Sequence, residues 1–336
     1  MTEKGSVERR TLFSYRFTME NTKKSQATGI FWAALSVVCW STLFPAVSFL
    51  LNRGNVDCYT MGQIRFVLAG IIMLVVYSIA KRTIPVHGIQ KADWLNLIIQ
   101  SIFAAGMSCS LFYGQSLGLP VVNAAMLEAE APLLIFILGI FILHNKTSLL
   151  QTMGLVFGFG GSLFVLKVIS ADGFMIKSFT SGDTMVVIGA VCWALYTVLS
   201  NRTIKRIGGL LYTGWSVLFA GLWILIFQLL FKRPCCFPTE LPDLVCTFYL
   251  GLIPTALAFF AWNNAQRYIS TGLLAISGYF TPILTALLGW LLFREKITWI
   301  QGVGMFLVIG SALIEPEISD LLRSSWKKLF HQSKNP

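Results

Sequence analysis

The sequence predicts an all-α membrane protein, with ten transmembrane helices arranged as two inverted five-helix repeats around a central cavity. Three observations carry this. Of 336 residues, 55% are hydrophobic and only 12% charged, against about 25% charged in a typical soluble domain. The apolar residues fall into ten runs that meet or approach the roughly 20 residues needed to span a hydrocarbon core. The chain also matches itself at a shift of about 150 residues.

Residues 1–28 form a polar, basic leader, too short and too polar to fold as a domain. The first run, 29–51, ends in FLLNRG rather than in a small-residue cleavage site, so it reads as a retained helix and not a signal peptide. The next runs lie near 60–80, 93–112, 121–143 and 150–168, completing a first unit over 29–168. A second unit, 184–315, holds runs near 184–202, 210–231, 243–264, 271–293 and 298–315. The remaining 316–336 form a tail, whose amphipathic stretch ISDLLRSSWKKLF is suited to lying on a membrane surface.

Basic residues set the orientation. With the N-terminus in the cytoplasm, loops and tails on that side hold 18 Lys and Arg, while the opposite side holds seven, and Arg65 falls inside the second run. That split fits the positive-inside rule and places both termini in the cytoplasm, in the inner membrane if the chain is bacterial. It also accounts for the net charge of +11 without a nucleic-acid partner, because the cations are dispersed. The sequons at Asn145 and Asn201 fall on the cytoplasmic side, where they would not be glycosylated.

At a shift of 150, Asp93 meets Asp243, Pro132 meets Pro282, Gln151 meets Gln301 and Gly154 meets Gly304. Nearer the start of each half the shift drifts, so that VCW at 38–40 matches VCW at 191–193. Five spans per copy is an odd number, so the second copy enters the membrane from the opposite face. Inverted repeats of this kind suit alternating access, since exchanging the conformations of the halves turns an outward cavity inward.

The second-half segment TGLLAISGYFTPILTALLGWLLFREKITWIQGVGMFLVIGSALI resembles the EamA-type signature of the drug/metabolite transporter superfamily. The resemblance extends over both repeats and implies a ten-helix bundle with a central cavity and secondary transport of small organic solutes. The first repeat departs from the signature where Asn145, in LHNK, stands in place of Glu295 of FREK.

Three ionisable residues sit within spans: Arg65, Glu128 and Glu130. Each costs about 2.5–3.5 kcal/mol on insertion scales, so each is expected to face protein or a wet cavity. Glu128 and Glu130 point about 200° apart on a helix, so one is expected to pair with Arg65 and the other to meet solute or protons, with the deeper Glu130 slightly favoured for the cavity. Pro132 and Pro282 each free a carbonyl four residues earlier and kink their helices, as hinges or as packing features. Trp40, Trp193, Tyr196, Gln115, Asn263 and Tyr279 complete the candidate pocket, the rings by stacking or cation–π contact.

A saturable transporter is therefore expected for an amino acid, amine or related cationic or zwitterionic solute such as S-adenosylmethionine, working by exchange or with protons as a coupling partner. The other partners expected are the lipid bilayer and, at most, a second copy in a weak homodimer. An intramembrane enzyme, a channel and a lipid-handling protein are the alternatives on the same scaffold. An enzyme is disfavoured because His87, His144 and His331 all lie in loops or the tail and no nucleophile motif occurs. The seven cysteines show no metal spacing, so neither metal nor cofactor is expected.

Overall fold

The computed structural model describes residues 25–117, 130–166, 168–170, 173–174, 180–294 and 296–320. Its helices are α1 (Ser25–Arg53), α2 (Cys58–Lys81), α3 (Lys91–Ser116), α4 (Ala131–Leu143), α5 (Leu149–Val165), α6 (Ser181–Ile207), α7 (Gly209–Leu230), α8 (Leu241–Ala265), α9 in two pieces (Thr271–Gly278 and Phe280–Phe293) and α10 (Trp299–Leu313). Two-residue strands, β1 (Ile169–Ser170) and β2 (Gly173–Phe174), pair antiparallel between α5 and α6. Among the described residues seven helices are long and apolar enough to cross a membrane, and α4, α5 and α10 are shorter apolar helices.

Each of the ten apolar runs holds one of these helices; the first nine residues of the fourth run, 121–129, lie outside the described residues. Several helices outrun their apolar cores because polar caps extend them. Thr180 and Asp183 form a capping box that starts α6 at Ser181, three residues ahead of the sixth run, and Gln90 and Asp93 cap α3 in the same way.

Two helices are irregular where a proline removes a donor. Pro254 lies in a π-helical turn, Leu252–Leu257, in the middle of α8, where Thr255 Oγ1 donates to the carbonyl of Leu250 at 2.6 Å. In α9 the helix is interrupted at Tyr279, directly after Gly278, whose carbonyl Pro282 leaves without its helical donor.

The surface is apolar. Ile79, Phe141 and Phe306 are 73%, 72% and 75% exposed, and many other large aliphatic and aromatic residues share that outer surface. Water would not tolerate so extensive a patch, whereas a bilayer requires one. The interior holds Ser36, Thr60, Gln100, Ser101, Thr213 and Gln228, all buried.

Contacts between the halves are reciprocal. A methyl added at Gly304 of α10 would lie 2.6 Å from the Gly161 carbonyl oxygen of α5, and one at Gly154 of α5 would lie 3.0 Å from that of Ser311 in α10. Gly304 is the counterpart of Gly154, and Ser311 that of Gly161. On α2 and α7 the same holds at a shift of 151: Gly70 abuts the backbone of Leu218, and Gly221 abuts that of Val67.

Polar ties repeat the pattern. Gln301 Nε2 donates to the Val165 carbonyl at 2.9 Å, and its counterpart Gln151 donates to Glu315, the counterpart of Val165, at 2.8 Å. Arg53 pairs with the buried Asp243, while Arg206 pairs with the buried Asp93. Contacts in which i meets j and the counterpart of j meets the counterpart of i are what a two-fold relation produces.

Candidate functional site

A cavity lies where α1, α2, α3, α4, α6, α8 and α9 converge. Its wall follows helical phase: Trp40, Leu43 and Phe44 on α1, Pro132 and Ile135 on α4, and Gly278, Thr281, Pro282 and Thr285 on α9. Both prolines thus face the same space, and a methyl added at Gly278 would come within 3.1 Å of the Pro132 ring.

Aromatic rings dominate one side. Trp40 and Trp193, counterparts in the two halves, meet edge to face with centroids 5.2 Å apart. Trp262 lies 5.1 Å from Trp40 and 5.6 Å from Trp193, and Phe259 packs against both tryptophans at 6.0 and 5.4 Å. The indole of Trp40 is fixed by an N–H donated to the Pro254 carbonyl at 3.0 Å, so the proline in the π-turn of α8 positions the ring.

Arg65 is the charged residue of the described wall. It is 1% exposed, with Cζ 4.7 Å from the ring centroids of both Phe66 and Phe112, and Nη2 donates to Ser108 Oγ at 3.3 Å. A guanidinium held between two rings keeps its donors in a fixed plane, suited to a carboxylate.

Of the other residues singled out from sequence, Glu128 lies outside the described residues. Glu130 stands at the N-terminal end of α4, half-buried, its carbonyl accepting from Leu134, and no ion pair joins it to Arg65 among the described residues. Tyr196 and Asn263 sit behind the wall in a buried network: Asn263 Nδ2 donates to Tyr196 Oη at 2.9 Å and to Thr213 Oγ1 at 3.0 Å, and Tyr196 Oη lies 3.1 Å from Ser216 Oγ. Tyr196 also stacks on Trp193, with centroids 5.4 Å apart, and so supports the cage from behind.

Tyr279 packs into a second core with Phe136, Leu155 and Val308, its ring filling the space that Gly158 leaves on α5. Gln115 is buried near the end of α3, away from the cavity wall. Met107, Phe259, Thr281 and Thr285 line the cavity without having been singled out. Helical phase from Pro282 on the same helix picks out Thr285, three residues on, and Thr281 beside it, whereas Met107 carries no such signal.

The cavity volume is about 70 Å³, room for one or two waters and well below the roughly 300 Å³ at which ligand pockets begin. A second, larger cavity of about 410 Å³ opens near the ends of α4 and α6 and the start of α9, lined by Lys146, Arg202 and Lys205 among others.

Comparisons with known proteins agree with this architecture. The chain is 25% identical over 277 residues to the uncharacterized transporter YyaM of Bacillus subtilis, covering 81% of this chain and 90% of that protein. It is 24% identical over 273 residues to the protein PecM of Dickeya dadantii, covering 80% and 86%. With the aromatic amino acid exporter YddG of Ancylobacter novellus it shares 27% identity over 276 residues, covering 79% and 88%. A solved crystal structure superposes with a TM-score of 0.71 at 22% identity, over 89% of this chain and 98% of the other, a likeness of fold. The EamA-like transporter family model matches residues 27–167 and again 180–314, which coincide with the two self-similar halves. A multi-pass helical chain whose halves each match that model belongs to the EamA-like transporter family.

Proposed function

We propose that the chain crosses the membrane ten times as two inverted repeats, with both termini in the cytoplasm, and exchanges or exports a zwitterionic amino acid with a large apolar or aromatic side chain. The observation that carries the substrate class is the cage of Trp40, Trp193, Phe259 and Trp262 facing the same small cavity as Arg65. Arg65 takes the solute carboxylate, the rings take its apolar body, and the carbonyl of Gly278 freed by Pro282 accepts from its ammonium group. Glu128 and Glu130 remain proposed partners for that ammonium group or for a coupled proton. The name of the related aromatic amino acid exporter points to the same chemistry.

Support for the inversion comes from the reciprocal glycine contacts and ion pairs, with Asp93–Arg206 and Arg53–Asp243 at opposite ends of the helices. A cavity of about 70 Å³ corresponds to a constricted state, and α4 and α9 bending at Pro132 and Pro282 would widen it.

The test is counterflow in proteoliposomes with labelled tryptophan, phenylalanine, lysine, a polyamine and S-adenosylmethionine. Saturable counterflow is expected for the aromatic amino acids. Losing one ring contact raises the half-saturating concentration about fivefold in Trp193→Ala, and Arg65→Gln abolishes uptake. Transport of the polyamine with no response to aromatic amino acids would refute the substrate class, and wild-type uptake in both variants would refute the site.

A further inference from the structure

The second cavity lies at the ends of the helices that frame the first. On α4 the wall passes from Ile135 in the central cavity to Phe136 and then Leu143 in the second, the last eight residues or about 12 Å along the helix. On α6 it passes from Trp193 to Asn201, the same distance in the same direction. Its volume of about 410 Å³ falls within the range of small-molecule sites, which begins near 300 Å³.

Its chemistry differs from that of the central cavity. Lys146, from the loop after α4, and Arg202 and Lys205, from the last turns of α6, present three cations to one space, and among the described residues none of the three is in an ion pair. Asn145, Thr147 and Thr271 add amide and hydroxyl groups. Two carboxylates hold onto wall residues: Gln151 Nε2 donates to Glu315 at 2.8 Å, and the Ser270 N–H donates to Glu317 at 3.1 Å. Three clustered cations with neutral donors exceed what one carboxylate needs and match the several oxygens of a phosphate.

We propose that this pocket binds a phosphate group, held by Lys146, Arg202 and Lys205. The group belongs to an anionic phospholipid headgroup or to a soluble phosphate compound. That the pocket faces the cytoplasm rests on the topology proposed above; that it binds phosphate does not.

The full chain in nanodiscs of pure phosphatidylcholine is titrated with inorganic phosphate against chloride at matched ionic strength, and separately prepared with one-fifth phosphatidylglycerol, with thermal unfolding as the readout. The wild type is expected to gain about 2–4 °C in at least one arm, and the variant carrying Lys146→Gln, Arg202→Gln and Lys205→Gln to gain nothing. Lys296→Gln, the counterpart of Lys146 in the other half and outside this pocket, retains the gain.

A gain in the lipid arm alone assigns a headgroup, a gain with inorganic phosphate alone assigns a soluble ligand, and gains in both assign a site open to either. No gain in either arm, or an equal gain in the triple variant, overturns the proposal. Should the triple variant fail to fold, Lys205→Gln alone must raise the half-saturating phosphate or lipid content about tenfold, and an unchanged value overturns the proposal equally. The readout needs no transport, so its failure is distinct from failure of the counterflow assay.

Discussion

Arg206→Gln tests how the two halves are tied together. Its partner Asp93 has a fully buried side chain, while the arginine side chain is 44% exposed. Beyond Arg206, the Asp93 carboxylate accepts from the Gln90 N–H at 3.0 Å. Stripping the partner from a buried carboxylate costs about 3–5 kcal/mol, but exposed pairs are worth at most about 1 kcal/mol. A half-exposed arginine on a buried aspartate falls between these, at about 2 kcal/mol.

Asp93→Asn removes the buried charge, keeps an oxygen for the Gln90 N–H and leaves Arg206 to the solvent, so it costs about 1 kcal/mol. For a chain of 336 residues the two changes correspond to losses of about 3 and about 1.5 °C in Tm, read by near-ultraviolet circular dichroism in detergent. The double variant is expected to lose no more than Arg206→Gln alone, because no charge is left orphaned. The mirror change, Arg53→Gln, is expected to be the more costly arginine substitution, since Arg53 binds both Asp243 and Glu240. If Asp93→Asn proves as damaging as Arg206→Gln, the orphaned-charge reasoning is wrong; if neither shifts Tm by 1 °C, solvent already screens the pair.

Two further outcomes follow from the packing and the proposed topology. Gly304→Val drives a side chain into the Gly161 carbonyl and the Phe164 side chain, 2.6 and 2.7 Å from its first carbon. An overpacking cost of about 1–3 kcal/mol lowers the yield of monodisperse protein, whereas Gly310→Val, with nothing within 4 Å, leaves it unchanged. In a background with the exposed Cys235 and Cys236 replaced by serine, a membrane-impermeant thiol reagent applied to intact cells is expected to label Asn52→Cys and to spare Lys91→Cys. The opposite labelling would invert the proposed orientation.

The apolar helices were legible because a long hydrophobic run marks each one: the run 184–202 lies within α6, and 271–293 matches the bounds of α9 apart from its interruption at Tyr279. The positions of Trp40 and Trp193 as counterparts within their runs were legible through the repeat, and the structure brings their rings together. The partners of buried polar groups were not. Tyr196 and Asn263 look like pocket residues because a polar group inside a membrane needs a partner, yet sequence does not say whether that partner is a solute or, as here, Thr213 and Ser216. Phe259 and Met107 escaped for the opposite reason: in a membrane helix an apolar residue suits lipid, core and cavity alike. The irregularity of α8 had its sign in Pro254, but that its carbonyl would hold the Trp40 indole depends on a contact 214 residues away in sequence.

The symmetric and asymmetric features divide between two tasks. Close helix contacts through Gly154 and Gly304, the ion pairs of Asp93 and Asp243, and Pro132 and Pro282 on one cavity all occur in both halves. If the halves exchange conformations during a cycle, whatever supports one state must have a counterpart that supports the other, so shared features suit motion. A solute is not symmetric, and groups that recognise its charge need no counterpart. Arg65 has none: its counterpart is Ser216, which is absorbed into the hydrogen-bond network with Tyr196. Introducing Ser216→Arg therefore should not create a second solute site. It should break that network, strand the Tyr196 hydroxyl and loosen the stack under Trp193, raising the half-saturating solute concentration while leaving the proposed contact of Arg65 with the carboxylate in place. Improved affinity in Ser216→Arg would mean that charge recognition is shared by the halves, and the division between moving and binding parts would fail.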